Sequence, residues 1–374
     1  MNLKNVVITP QMLVQIAELD EFKGAWTGLA RLRPEQLKAL KKVSTIESIG
    51  SSNRIEGNAL SDEEVETLLS RINRKSFSSR DEEEVAGYAD LMNLIFDDYA
   101  AIPLSENYIK QLHQTLLRYA SKDERHRGDY KTLSNSVVAL DADGKEVGIV
   151  FKTATPFDTP RLMEELVEWT RKNLDDPLSH PLIVIGMFIV HFLAIHPFQD
   201  GNGRLSRALT ALLLLKKGYA YIPYSSMESV IEACKEGYYR ALRRTQKNIW
   251  GDKVDYEPWL SFFLTTLQKQ KRHLESKIAM APMMIAEAPP PPSADTAGGR
   301  GSSITLLSRN QRTILALFDG KREWSSSEIA SHLAMNIETT KKSIKALVER
   351  GHLVKHGTTK GAWYEKSKPR FEYF

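Results

Sequence analysis

Cysteine is almost missing from this chain: Cys234 is the one thiol among 374 residues. A lone cysteine forms neither an internal disulfide nor a cysteine-based zinc site, and a reducing cytoplasm is the expected compartment. The stretch Met1–Asp20 lacks the basic start and apolar core of a signal peptide. No apolar run reaches membrane length. The longest, Leu182–Ile195, is apolar except for Gly186 and His191, and a span needs about 20 residues; it is expected to be a buried core helix. There is also little excess charge of either sign, the formal net charge being +4. That charge is unevenly spread: from Arg300 onward there are fourteen Lys/Arg against seven Asp/Glu, so the part before it is mildly acidic. A basic C-terminal module on an acidic body points to two jobs, and the length itself points to two or three domains.

What is present reads mostly as helix. Met1–Ala30 is expected to give one or two short helices. Pro34 opens the next, with Leu37, Leu40, Val43, Ile46 and Ile49 at near-helical spacing and Gly57 as C-cap. Ser61-Asp62-Glu63-Glu64 fits a capping box; Asp81–Ala100 and the segment capped by Ser105 follow as helices. Val137–Leu140 and Val147–Phe151, on either side of Asp143-Gly144, predict a hairpin. Thr159-Pro160 starts a helix in cap-then-proline order, ending near Asn173; Ser229–Lys247 and Trp259–Ser276 are two more. Pro289–Pro292 followed by Gly298-Gly299-Arg300-Gly301 reads as a linker, stiff and then flexible. Beyond it, Asn310–Phe318, Ser327–Leu333 and Ile337–Arg350 are three helices, and Val354–Tyr364 is a small hairpin. That order predicts a winged helix-turn-helix, with Thr339, Thr340, Lys341, Lys342 and Lys345 on the recognition helix.

The chemistry is concentrated in His196-Pro197-Phe198-Gln199-Asp200-Gly201-Asn202-Gly203-Arg204-Leu205-Ser206-Arg207, between two apolar runs. Pro197 restricts His196 to extended geometry at a helix end, and histidine takes a proton near neutral pH. Asp200 is a single hard oxygen ligand suited to Mg²⁺ shared with phosphates. Gly201-Asn202-Gly203 lets backbone approach an anion at a helix N-terminus, and Arg204 and Arg207 reach along a polyphosphate. Base, metal ligand, anion nest and two arginines make a site for phosphoryl-type transfer from a nucleotide. The loop has no Gly-Lys-[Ser/Thr], which excludes Walker-type chemistry there.

All nine specified positions of His-Pro-Phe-x-Asp-Gly-Asn-Gly-Arg-x-x-Arg are met. The stretch resembles the signature of the Fic (filamentation induced by cAMP) family, and the resemblance covers about residues 35–275. It implies a mainly α fold: a Fic-type helical domain with a β-hairpin flap, here joined to the C-terminal winged helix-turn-helix. It also implies protein adenylylation, in which AMP moves from ATP to a Ser, Thr or Tyr hydroxyl of a target protein. By the same resemblance His196 is the base and Asp200 holds Mg²⁺. Gly201, Asn202 and Gly203 form the anion hole, Arg204 grips the β-phosphate and Arg207 the γ-phosphate. Phe198 anchors the loop. The Asn135–Pro156 hairpin is the flap that aligns the target, and Tyr238 and Tyr239 lie near the adenine. Ser52-x-x-x-Glu56-Gly57 is similar to the family's inhibitory helix motif, which pairs Glu56 with Arg207 and in some relatives positions water to remove AMP.

The resulting division is an N-terminal helical region with the inhibitory helix (1–100), a Fic catalytic domain (101–285), a Pro/Gly-rich linker (286–303) and a winged helix (304–374). The expected partners are ATP and a target hydroxyl, with DNA at the winged helix and a second copy of the chain left open, and no membrane. Two alternatives stand beside adenylylation. One is transfer of another nucleotide-derived group on the same fold. The other is a DNA-binding regulator whose Fic body only senses nucleotide.

Overall fold

The computed structural model describes residues 3, 6–32, 34–71, 77–135, 137–140, 146–286, 309–318, 323–333, 335–349, 352–357 and 362–366. The chain divides into two compact units, Met1–Pro289 and Pro290–Phe374. One core runs through the first unit, from Met12 to Leu274, so residue 100 lies inside a single body. The linker at 286–303 lies outside the described residues except for Ala286, where the last helix of the first unit ends.

Helix α1 is Pro10–Leu32, one helix of 23 residues rather than two short ones. Thr9 starts it by accepting from the Met12 N–H (3.2 Å). Met12, Ile16, Leu19, Phe22 and Trp26 recur at three- and four-residue steps, so a single continuous face is buried. Helix α2, Pro34–Ile55, ends in a Schellman motif: Asn58 N–H bonds Asn53 O, Gly57 N–H bonds Arg54 O, and Gly57 sits at φ +101°. Helix α3, Asp62–Arg71, has the expected capping box, with Ser61 N–H on the Glu64 carboxylate (2.8 Å) and Glu64 N–H on Ser61 Oγ (3.3 Å). Helices α4 (Arg80–Asp98) and α5 (Glu106–Leu116) are capped by Ser79 and Ser105.

Strands β1 (Val137–Leu140) and β2 (Glu146–Phe151) pair antiparallel, with two register irregularities. The Asp143-Gly144 turn lies outside the described residues. Helix α6, Thr159–Asp175, differs at its start from the expected order: Asp158 is the N-cap residue, and Thr159 is already helical with Pro160 behind it. Thr159 is buried, and its hydroxyl bonds Thr155 O (2.7 Å), so it does not cap the helix. Helices α7 (Pro181–Ile195) and α8 (Asn202–Lys216) are almost entirely buried, as their apolar runs require. The segment expected as one helix over Ser229–Lys247 is two, α9 (Met227–Ala233) and α10 (Lys235–Gln246). Cys234, at φ −123° and ψ 33°, breaks them apart. Helix α11, Glu257–Ala286, outruns the expected Trp259–Ser276 at both ends. Its Trp259 Nε1 donates to Gly186 O (2.7 Å), fastening it to α7.

The second unit has its own small core of Ile314, Phe318, Ile329, Ile344, Leu347 and Leu353. Helices α12 (Arg309–Leu317), α13 (Ser326–His332) and α14 (Ile337–Glu349) accompany three short strands, β3 (Glu323–Ser325), β4 (Leu353–His356) and β5 (Trp363–Lys366). The strands form one antiparallel sheet in the order β3-β5-β4. Lys341, Lys342 and Lys345 are exposed on α14. Thr340 is not on that surface: it is fully buried, its hydroxyl on Asn336 O (3.0 Å).

Candidate active site

The site is the turn between α7 and α8. Because α7 is buried on all sides, its C-terminal carbonyls need partners from the protein itself. His196 ends the helix in the left-handed region (φ 52°, ψ 61°), not the extended geometry expected before Pro197. It is the one non-glycine residue with positive φ among the described residues, a conformation that costs about 1–2 kcal/mol. Its neighbours hold it there. Asn135 Nδ2 donates to His196 O (3.2 Å) and Phe198 O (2.6 Å). Lys131 N–H donates to Pro197 O (2.8 Å) and Lys131 Nζ to Ile195 O (2.8 Å). The His196 imidazole lies 3.3 Å, through Nδ1, from Leu193 O. With Nδ1–H donating there, Nε2 keeps its lone pair. Desolvation, and then the charge of Lys131, pull the ring down to about 4 against the opposing pull of Leu193 O, Glu56 and Asp200. The ring is therefore a free base at neutral pH.

Phe198 is fully buried and stacks on His113 (3.8 Å between centroids, 13° between planes). His113 Nδ1 accepts the Gly128 N–H (3.0 Å), so its proton is on Nε2, which donates to Asp200 O (3.0 Å). Burial holds His113 down to about 4, and it stays neutral. Asn202 closes the turn with its side chain, accepting from Phe198 N–H (2.9 Å) and donating to Phe198 O (2.7 Å). The anion-binding role expected of Asn202 is therefore left to its backbone. Gly201, at φ +78°, begins α8 and supplies the left-handed step that an L side chain resists.

The charged groups meet above this turn. Arg207 is 2% exposed; its Nε donates to Ser52 Oγ (2.8 Å), and its Nη2 to Ser52 O and Glu56 Oε1 (2.8 Å each). Ser52, on the last turn of α2, and Glu56, just past its end, thus reach the same guanidinium. Glu56 also lies directly over Gly203: a Cβ there would collide with its carboxylate. A carboxylate already occupies the cradle expected for phosphate. Arg204, 3% exposed, bonds Asp200 Oδ2 (3.2 Å) and forms an ion pair with Glu84 Oε2 (3.2 Å), while Arg80 reaches Glu84 (2.7 Å) and Asp200 (3.4 Å). Three buried donors, Nε and Nη1 of Arg204 and Nη1 of Arg207, have no hydrogen-bond acceptor among the described residues. Tyr238 is buried beside Arg207, among Tyr239, Trp259 and Phe262. Only Tyr239 of the expected adenine pair keeps exposed surface. Sequence reasoning missed His113, Lys131, Asn135, Arg80 and Glu84. A histidine on the inner face of α5, between Leu112 and Leu116, was the one available signal.

Residues 103–214 match the Fic/DOC family. This segment is a Fic/DOC family domain. The chain is 33% identical over 109 residues to a probable protein adenylyltransferase of Aquifex aeolicus, covering 29% of this chain and 33% of the relative. It is 26% identical over 207 residues to the protein adenylyltransferase Fic of Drosophila grimshawi, covering 55% and 40%. It thus spans well under half the length of these two curated relatives. Among solved structures, a Fic domain containing signaling protein from Bacteroides thetaiotaomicron superposes with a TM-score of 0.57 at 26% identity, over 71% of this chain and 97% of that one. A Fic family protein from Desulfovibrio desulfuricans shares the fold over 98% of this chain and 99% of its own, with a TM-score of 0.57 at 23% identity. The fold is mainly α and Fic-type. Among the described residues, no helix is long and apolar enough to cross a membrane.

Proposed function

We propose that the chain is a protein adenylyltransferase, moving AMP from ATP to a Ser, Thr or Tyr hydroxyl of a target protein and held inactive by Glu56. The observation that carries this reading is the Glu56 carboxylate lodged over Gly203 and on Arg207. A cradle of backbone and arginine that accepts one anion is suited to phosphate, and the orphaned donors on Arg204 and Arg207 supply further capacity. The relatives named as adenylyltransferases support the same chemistry.

In the transfer, His196 Nε2 takes the proton of the target hydroxyl as its oxygen attacks the α-phosphorus. The bond from that phosphorus to the bridging oxygen breaks, and pyrophosphate leaves. Arg204 faces the β-phosphate, Arg207 the γ-phosphate, and the Gly201–Gly203 backbone the anion between them. Asp200 is a half-exposed carboxylate (41%) beside this cradle. No cluster of three or more His, Cys, Asp or Glu forms a metal cage among the described residues. One hard oxygen fits Mg²⁺, which completes its shell with phosphate and water. Bound there, the ion would supply charge neutralisation at the α- and β-phosphates. While Glu56 holds Arg207, that arginine is denied to the γ-phosphate and the α-phosphate is not aligned for in-line attack. The β1–β2 hairpin serves as the flap that aligns the target by strand addition, and Tyr239 borders the adenine. The reverse reaction, with Glu56 orienting water to release AMP, uses the same groups.

Incubation with ATP labelled at the α-phosphate tests this. Glu56→Gly should raise protein labelling on the order of tenfold or more over wild type, and γ-label should not be transferred. No protein-bound α-label from either form sinks the proposal; γ-label on protein makes the enzyme a kinase instead. For the second unit we assign a winged-helix DNA-binding role, supported by exposed Lys341, Lys342 and Lys345 on α14. Duplex binding by fluorescence anisotropy should weaken as salt rises. Binding unchanged in Lys342→Glu/Lys345→Glu removes that assignment.

A further inference from the structure

Lys131 stands out among the buried ionisable groups. It is 4% exposed, and among the described residues its ammonium meets no carboxylate. Instead Nζ donates to three neutral oxygens: Ile195 O (2.8 Å), Asn135 Oδ1 (2.8 Å) and Thr153 Oγ1 (3.1 Å). Those three acceptors use all three N–H donors of an ammonium, and a neutral amine would leave one unmet. They also come from three places: the last turn of α7, the segment entering the hairpin, and the segment leaving it. The Lys131 backbone N–H holds Pro197 O as well, and Asn135, oriented by Lys131, holds His196 O and Phe198 O.

We infer that Lys131 is a positioning residue for the transfer, wiring the base of the hairpin to the α7–α8 turn so that His196 stays in its left-handed conformation with Nε2 free. The inference rests on the reading of His196 as the base. A buried cation is costly without a counter-charge, and the three neutral acceptors satisfy its donors without balancing its charge. What the charge adds is electrostatic: it opposes protonation of His196. The charged groups facing that ring are Lys131 ahead of β1, Glu56 at the end of α2, and Asp200 in the turn. The two carboxylates favour the protonated ring, and the charge of Lys131 counters them. Burial also draws Lys131 down, to about 8, so it remains charged at neutral pH.

The test uses the full chain in the Glu56→Gly background with ATP labelled at the α-phosphate. Lys131→Met should lower kcat for labelling about tenfold or more, with KM for ATP held within about twofold, because the lysine touches no phosphate site. Asn135→Leu, which keeps the lysine but drops the grip on His196 and Phe198, should give the same kcat-selective loss. It also carries the test should Lys131→Met fail to fold. Carbon-13 labelling of histidine, with the His196 signal assigned from His196→Ala, reads the ring without turnover. In Lys131→Met its titration midpoint should rise by about half a unit or more. Unchanged kcat in both variants, a matching rise in KM, or an unmoved His196 titration overturns the inference. If the Glu56→Gly parent labels nothing, the transfer reading fails on its own, and the His196 titration still decides the role of Lys131.

Discussion

His196 combines an aimed ring with a backbone that resists its own conformation, and two substitutions separate these properties. His196→Ala removes the proposed base and no proposed phosphate contact, so transfer should be lost while ATP affinity, measured by calorimetry, stays within about twofold. Retained transfer would mean that another group is the base. His196→Gly should be equally inactive yet more stable than His196→Ala by about 1 kcal/mol, since glycine accepts φ near +52° without the Cβ penalty. Equal melting temperatures would deny that strain. The chemistry of this turn was legible in the sequence because its donors are nearly consecutive, and helical periodicity then fixes the relation of Arg204 to Arg207. The His196 backbone was not. The local rule set by Pro197 favours extended geometry, and it is overridden by Lys131 and Asn135, some sixty residues away in the chain.

At the scale of elements, the proposed inhibition by the end of α2 depends on more than Glu56. Arg54, on the same last turn, grips Glu232 on α9 with two bonds (2.7 and 3.0 Å), Asp62 on α3 (3.0 Å) and Leu60 O (3.0 Å). Asp62 and Glu232 hold the Arg54 charge in place despite the cost of its burial. Arg54→Ala should therefore loosen the C-terminus of α2 without touching the catalytic turn. Self-labelling should fall between wild type and Glu56→Gly, with faster amide exchange over 49–57. Labelling no higher than wild type would show that Glu56 needs no such anchor. The start of α3, the cap of α5 and the end of α2 could all be read from local sequence, because a cap is a contact between residues a few positions apart. The break between α9 and α10 could not. Cys234 carries no helix-stopping signal, and Ser226 caps a helix of only seven residues, whose direction is set by packing against α2 and α11.

Across the molecule, the first unit stores neutral histidines in its core. His113 is held at about 4 and His191, bonded to Tyr256 Oη at 2.8 Å, at about 3, in both cases chiefly by burial. Both lie below the unfolded value near 6.5, so between about pH 6.5 and 4 the unfolded chain binds more protons than the folded one. Stability must then fall as pH falls through that window, by about 1.4 kcal/mol per pH unit for each group. Glu228 works against this. Its buried carboxyl is pushed upward, so the folded state takes up a proton early there. A comparison of variants isolates the histidine contribution: in urea unfolding at pH 7 and pH 5, wild type should lose about 2 kcal/mol more than His113→Gln, which cannot titrate. An equal pH dependence in the two would mean that His113 is protonated in the fold. Its Nδ1 could then not accept the Gly128 N–H, while Nε2–H would keep its bond to Asp200 O, and the turn that carries His196 would lean on a cationic His113 beside Asn135, Lys131 and Asn202.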